Sequence, residues 1–376
     1  MKEVKILHTA DLHLGAARTG VKGGKSEIEN TFLRIIRLCD AESVDFLLIA
    51  GDLFDAPFVS LDDASKIISM LEQIPKTTVA IAPGNHDFLA PGSVYLKYKF
   101  PKNVVIFDSS TQYFDFPEKN TRIWGCAFSN RFENTPLLNI AKSNLAEDTI
   151  QLCVLHGDLV SESSSSVYNP ITPSSIEKSG FDYMALGHIH KRSEIQKAGN
   201  TYFAYCGCPD GMGFDEMDSR GVYLGTVSKK GCNLKYTEMS SRKYIEESFD
   251  VSGCKNSFDA EALILDKIKA EYGEHYDKNL YRITLLGTVS IDWAINPARL
   301  STLLAESLYY VEVFDQTETD ITDLSLYTSE SSLRGIFVKK MLEKIENASP
   351  EEQTTFKNAL KIGLSSFRKE VLFNDN

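Results

Sequence analysis

The stretch Leu7-His-Thr-Ala-Asp11-Leu-His13-Leu-Gly15 closes an apolar run, Val4 to Leu7, with an aspartate and a histidine two residues apart. Four further stretches repeat the arrangement. Phe46 to Ala50 runs into Gly51-Asp52, Thr78 to Ala82 into Gly84-Asn85-His86-Asp87, Ile150 to Leu155 into His156-Gly157-Asp158, and Tyr183 to Leu186 into Gly187-His188-Ile189-His190. Each run is short, apolar and partly β-branched, which predicts a buried strand. In open α/β sheets, ligands bind just beyond the carboxyl ends of the strands. Five such ends would deliver Asp, His and Asn side chains to one place.

That donor set predicts metal. Carboxylate, imidazole and amide ligands without thiolate suit Mn²⁺, Fe²⁺ or Zn²⁺ more than copper or an iron–sulfur cluster. Two such ions roughly 3.5–4 Å apart clamp an in-line displacement at phosphorus, with one carboxylate bridging them and an activated water as nucleophile. Asp11 and His13 can reach one ion only if the backbone bends between them. His188 and His190 repeat that spacing. A lone D-x-H or G-D arises often by chance, but five motifs in order, each at a predicted strand end, do not. His8 precedes its motif and reads as structural. His275 lies in a charged stretch and reads as exposed.

Composition narrows the class. At 376 residues the chain predicts roughly two to three domains. No apolar run approaches the roughly 18 residues of a membrane span. Only Met1 to Leu7 precede the first motif, so no signal peptide is expected. The seven cysteines are odd in number and irregularly spaced, as expected of reduced thiols in a cytoplasmic protein. Cys206-Gly-Cys208 reads as structural. A net charge of −12 argues against strong autonomous DNA binding. A local basic groove or a partner subunit would still allow it.

Three regions emerge from the periodicities. Residues 1–240 alternate strands with helices: Ile28, Phe32, Ile35, Ile36 and Cys39 fall at helical spacing, as do Ala64, Ile67, Ile68 and Leu71 behind a Ser60/Asp63 cap. Residues 245–325 predict a small β-α-β-α-β unit, with Asn296 and Pro297 opening its second helix. Residues 326–376 predict two helices with apolar stripes, Leu333 to Ile345 and Phe356 to Val371, the second opened by Ser349, Pro350 and Glu352. Residues 331–376 carry eight Lys/Arg against six Asp/Glu, so this tail is less acidic than the rest.

The order D-x-H, G-D, G-N-H-D, H-G, G-H-x-H resembles the calcineurin-like metallophosphoesterases. Leu7 to Gly15 and Gly51-Asp-Leu-Phe-Asp55 are similar, more narrowly, to the DNA-repair nuclease branch: SbcD, the nuclease subunit of the MRN complex, and YhaO-type exonucleases. Asp182-Tyr-Met-Ala-Leu-Gly-His-Ile-His190, followed by Tyr205-Cys-Gly-Cys-Pro209, resembles the YhaO and SbcD pattern. The resemblance covers about residues 4–225; from 245 onward only domain order matches. It implies an α/β fold, a two-sheet metallophosphoesterase sandwich with a small α+β capping domain and C-terminal helices. It also implies that Asp11, His13 and His190 hold one ion and Asn85, His156 and His188 the other, with Asp52 bridging. His86 would stabilise the phosphate and protonate the leaving oxygen, with Asp55 orienting it. Cys208 stands where many relatives have Ser, off the metal set. Mn²⁺ is the implied metal, with Fe, Mg or Zn as alternatives. The implied partners are DNA, an SMC-like coiled-coil ATPase docked by the tail, and a second copy of the chain.

Three functions compete on these grounds. The leading one is a metal-dependent phosphodiesterase acting on DNA. A phosphodiesterase or phosphatase for nucleotides or other small phosphoesters suits the acidic charge but leaves the extra domain and tail without a use. A non-enzymatic scaffold is disfavoured, because every expected ligand position holds a competent ligand.

Overall fold

The computed structural model describes residues 2–16, 18, 24–137, 148–217, 219–290, 293, 295–320 and 324–367. The chain divides into two compact units, residues 1–243 and 244–376.

The first unit is an α/β sandwich of two mixed six-stranded sheets. Its strands are β1 (Glu3–Thr9), β2 (Phe46–Ile49), β3 (Thr78–Ile81), β4 (Val104–Ile106), β5 (Gln112–Phe116), β6 (Thr121–Gly125), β7 (Ile150–His156), β8 (Tyr183–Gly187), β9 (Gln196–Ala198), β10 (Thr201–Tyr205), β11 (Gly221–Ser228) and β12 (Gly231–Glu238). One sheet runs β12-β11-β1-β2-β3-β4 and the other β5-β6-β7-β8-β10-β9. Strands β1 to β4 are parallel, as are β6, β7, β8 and β10. The site-bearing strands therefore lie inside parallel blocks, where both faces are buried.

Alternation assigns the faces. Val4, Ile6, Phe46 and Leu48 of the first sheet pack against Leu152, Val154, Tyr183 and Ala185 of the second, forming the inter-sheet core. Leu7, Leu47 and Ile49 point the other way, onto α1 (Gly24–Ala41) and α2 (Leu61–Leu71) through Phe32, Ile35 and Ile67. Between the short α3 (Val94–Lys97) and β7 the chain crosses to the second sheet. Cys153, Leu155, Met184 and Leu186 turn outward onto Ile176 of α4 (Pro173–Ser179). Ser60 caps α2 as expected, its hydroxyl accepting from the Asp63 N–H at 3.1 Å. The sheets approach closely where they end: an ideal Cβ on Gly187 would stand 1.8 Å from the Ala50 carbonyl oxygen.

The second unit begins with β13 (Tyr244–Asp250), α5 (Ser257–Tyr272), β14 (Leu280–Leu286), β15 (Thr288–Ser290), α6 (Pro297–Leu304), β16 (Tyr310–Asp315) and β17 (Glu318–Asp320). β13, β14 and β16 form a parallel sheet, and β15 pairs with β17. Ile264, Ile268, Tyr281, Ile283, Leu300 and Leu304 fill its core. Asn296 caps α6, accepting from the Arg299 N–H at 3.0 Å. The chain continues through α7 (Ser325–Thr328), α8 (Leu333–Glu346) and α9 (Pro350–Ser366). Val338, Met341 and Ile345 pack on Leu360 and Leu364, so part of the expected stripes is spent inside this helical cluster. Leu333, Ile336 and Ile362 are exposed. Val371, expected to end the second stripe, lies outside the described residues. Among the described residues, no helix is long and apolar enough to cross a membrane.

Candidate metal centre

The first link is backbone conformation. After β1 and β2 the chain continues as two adjacent loops, tied by Asp11 N to Gly51 O at 3.1 Å, His13 N to Asp52 O at 2.9 Å and Leu14 N to Leu53 O at 2.9 Å. Asp11, His13, Asp52 and His188 all have positive φ, at 51°, 48°, 50° and 101°. Non-glycine residues in that region cost of order 1–3 kcal/mol each, and such strain clusters at functional sites. Here it supplies the bend that a D-x-H pair on extended chain lacks, and Asp11 and His13 both face the centre.

The side chains then converge from both sheets. One oxygen of Asp11 and one nitrogen each of His13 and His190 lie within 4.8 Å of one another; the same holds for Asp11, Asp52 and His156. His13 Nε2 stands 3.2 Å from His190 Nε2. Asn85 Oδ1 lies 2.8 Å from His156 Nε2 and 3.0 Å from His188 Nδ1. Asp52 Oδ2 lies between the two groups, 3.3 Å from His156 Nε2 and 4.0 Å from His13 Nε2. The loop of β3 sets Asn85 and His86 against Asp52, whose Oδ1 accepts from the His86 N–H at 2.8 Å. That contact needs Gly84, since a Cβ there would fall 2.3 Å from the same oxygen.

His86 and Asp55 sit at the rim. The His86 ring is edge-on to His13, with centroids 4.7 Å apart, and its side chain is about a third exposed. Its Nδ1 is 3.2 Å from the Asp55 carbonyl oxygen and 3.7 Å from the Asp55 carboxylate. That carboxylate is closer to His13 Nδ1, at 3.2 Å. Asp55 therefore also touches His13, outside the pair that the resemblance implied.

Electrostatics favour a cation. Burial alone would raise Asp52, yet the imidazoles of His156, His13 and His86 hold its carboxyl well below the usual range. Burial would lower His156, but Asp52 and Asp11 hold it up at about 9. Burial would likewise lower His190, which the hydrogen bond to Glu216 and the charge of Asp11 hold at about 9. Burial and the charge of His156 lower His188. Buried carboxylates that hold protons on imidazoles would hold a divalent cation in exchange for those protons. The donor set of carboxylate, imidazole and amide oxygen thus fits such ions.

Several neighbours were not anticipated from sequence. Asp87 is fully buried and accepts from Gly84 N at 2.7 Å, Phe54 N at 3.1 Å and Tyr95 Oη at 2.5 Å, stapling two of the ligand loops together. Asp158 backs His188, its Oδ1 3.2 Å from Nε2. Glu216 backs His190 at Nδ1. Asp87 and Asp158 stand inside the motifs and could have been found there. Glu216 is in none of them. Cys208, expected off the metal set, lies close to His190 and Glu216, its Sγ 3.5 Å from Glu216 Oε2. His8 is fully buried, 2.8 Å from Tyr183 Oη and 3.2 Å from the Leu186 carbonyl.

Strand-end carboxylates, imidazoles and an amide thus gather where the two sheets meet, a donor set suited to divalent metal. The pattern of the calcineurin-like phosphoesterase family matches residues 4–192, and the chain belongs to that family. It is 29% identical over 273 residues to the "uncharacterized metallophosphoesterase YhaO" of Bacillus subtilis, covering 68% of this chain and 65% of that protein. It is 24% identical over 239 residues to the DNA double-strand break repair protein Mre11 of Saccharolobus solfataricus, covering 60% and 61%. Against the SbcD component of the SbcCD nuclease of Staphylococcus epidermidis the identity is 23% over 305 residues, covering 73% and 77%. The chain thus spans less than two thirds of the length of the first two relatives.

Proposed function

We propose that this chain is a two-metal phosphodiesterase that acts on DNA, as an exo- or endonuclease subunit of a repair complex, with Mn²⁺ as the working metal. The observation that carries this reading is the convergence of Asp11, His13, Asp52, Asn85, His156, His188 and His190 from both sheets. Asp11, His13 and His190 would hold one ion, Asn85, His156 and His188 the other, and Asp52 both. When bound, the ions would supply Lewis acidity at a phosphoryl oxygen and lower the pKa of water.

The remaining steps belong to the chain's own groups. His86 is anchored through its backbone N–H to Asp52 while its ring stays partly exposed at the rim. It faces an incoming phosphodiester, stabilises developing charge and gives a proton to the leaving oxygen. Asp55 holds one buried and one rim imidazole, His13 through its carboxylate and His86 through its carbonyl. DNA as the substrate is supported by the likeness to Mre11 and SbcD proteins. Residues 245–325 would correspond to the capping domain of the resembled branch, and residues 326–376 would dock an SMC-like ATPase that supplies the DNA grip which a net charge of −12 denies the chain itself. The free thiols suit a cytoplasmic protein, and a homodimer is consistent with the resembled branch.

That same acidic charge favours a second reading, hydrolysis of a nucleotide or other small phosphoester, because a small substrate needs no basic surface. Side-by-side assays with Mn²⁺ decide between them: linear and circular DNA, bis-p-nitrophenyl phosphate and mononucleotides, with and without a cognate ATPase. Cleavage of DNA and the diester supports the first reading. Turnover confined to mononucleotides overturns it.

A further inference from the structure

Each of the four imidazoles of the centre is held from behind. His13 Nδ1 meets Asp55 at 3.2 Å, His156 Nδ1 meets the Ala50 carbonyl at 2.9 Å, His188 Nε2 meets Asp158 at 3.2 Å, and His190 Nδ1 meets Glu216. The opposite nitrogen of each ring faces inward: Nε2 of His13 and His190 face each other, and His156 Nε2 and His188 Nδ1 converge on Asn85. Three of these backing groups come from the motif loops or their strands. Glu216 comes from a loop 26 residues beyond His190.

We infer that Glu216 is a positioning residue for His190: it keeps a proton on Nδ1 and so leaves the Nε2 lone pair for the ion shared with Asp11 and His13. The inference rests on the two-ion assignment proposed above.

The loop is built to hold this contact. Glu216 is buried, and its two oxygens have separate duties. Oε1 faces His190, while Oε2 accepts from the Met212 N–H at 2.7 Å and from the Cys208 thiol at 3.5 Å. The Glu216 carbonyl accepts from Arg220 Nε at 3.2 Å, and Arg220 Nη1 also donates to the His190 carbonyl. Cys208 N donates to that carbonyl as well, at 3.1 Å. Further back on the loop, Asp210 pairs with buried Arg18 and accepts from Thr31 Oγ1 at 2.7 Å. His190 and its carboxylate are therefore fixed to one hydrogen-bonded frame. His190, Cys208 and Glu216 are close enough to hold an ion themselves. Against that, the Cys208 sulfur serves as a donor to Glu216, and Nδ1 is engaged.

The division of labour between the two oxygens makes Glu216→Gln a sharp test. The Met212 N–H requires an acceptor, so the amide oxygen takes that side and the amide NH₂ turns to His190 Nδ1. A donor there forces the imidazole proton onto Nε2, the atom that faces the centre. Manganese binding to the metal-stripped full chain is measured by calorimetry, and pairing of the ions by the electron paramagnetic resonance signature of coupled Mn²⁺. Wild type should bind two coupled ions. E216Q should hold one as before and the other about 10–100-fold more weakly, as loss of a group hydrogen-bonded behind a ligand does, with uncoupled Mn²⁺ spectra. Asp215→Asn, which removes an exposed carboxylate from the same loop, should bind as wild type. Two wild-type affinities in E216Q, or equal weakening in D215N, overturn the assignment. If circular dichroism shows E216Q unfolded, Glu216→Asp decides: its carboxylate is one methylene too short to serve both sides, so wild-type binding of both ions overturns the assignment. A wild type that binds no pair of ions instead sinks the two-ion reading itself.

Discussion

Aspartates stand at or just past the ends of parallel strands in both units, yet among the described residues only the first unit gathers them into a candidate site. In the second unit β13 and β16 end at Asp250 and Asp315. Asp250 Oδ1 accepts from the Ser252 N–H at 2.9 Å and hydroxyl at 2.6 Å; Asp315 Oδ1 does the same with Thr317, at 2.9 and 2.6 Å. Both carboxylates are consumed by a turn two residues on. In the first unit Asp11 is followed two residues on by His13, and Asp52 by Phe54, so neither has a local hydroxyl. Left-handed backbone turns them instead toward partners far along the chain: Asp11 to His188 N at 3.0 Å, Asp52 to His86 N and His156. A strand end supplies position; the residue two places past the carboxylate decides whether it is free for chemistry.

The largest test of that contrast is a matched pair of substitutions. Asp52→Asn should abolish turnover and lower the bound Mn²⁺, because a neutral amide removes charge where both ions would sit. Asp250→Asn, the same change at a strand end of the second unit, should leave diester hydrolysis as in wild type. Metal analysis and a chromogenic diester assay read both. If D52N keeps two ions and near-normal rate, the bridging role fails.

His86→Ser is expected to be next in size. It should cut the rate on the order of 10²–10⁴-fold, the usual range for a positioned acid–base group, while retaining metal. Loss of metal together with rate would make His86 a ligand.

These residues were legible because strands buried on both faces read as continuous apolar runs, and their ends stand out against them. The strands followed from the same runs, and their two-sheet arrangement from the resemblance that the motifs support. What lay beyond sequence was of two kinds. The strands Gln112–Phe116, Gln196–Ala198 and Gly231–Glu238 lie at sheet edges and carry polar residues on an open face, so no apolar run marks them. The second kind is orientation. The resemblance implied Asp55 as a partner for His86, but the left-handed turn at His13 brings that ring closer to the carboxylate. Glu216 depends on how a long loop returns, and no local pattern records it.

A smaller effect concerns the core beneath the site. Burial pushes His8 down to about 3, partly offset by the Leu186 carbonyl. The unfolded chain takes up that proton near pH 6.5, so stability is full above that pH and falls as pH drops toward 3. Between pH 7 and 5 this amounts to about 2 kcal/mol, taking 1.36 kcal/mol per pH unit. His8→Gln can donate to Leu186 and accept from Tyr183, but does not titrate. Denaturant melts of both proteins at the two pH values should show a steeper loss in the wild type. Equal losses would mean that His8 is protonated in the fold.

The smallest effect should come from deleting residues 331–376. Every candidate ligand and its backing carboxylate lies before residue 217, inside the first unit, so hydrolysis of a small diester should be unchanged. What the deletion removes is α8 and α9. Val338, Met341, Leu360 and Leu364 of these helices pack on one another and on Leu324 and Tyr327, whereas Leu333 and Ile336 are exposed. Apolar positions that the helical pair does not use on itself are those a partner helix could cover. On the proposed DNA reading, action on long DNA should therefore fall only when a coiled-coil ATPase is present, since an acidic body would need its DNA grip from outside. The internal packing makes the opposing outcome concrete. If the truncated chain is insoluble, or loses the small diester, the helices serve the fold of the second unit rather than a partner, and the open residues are merely its surface.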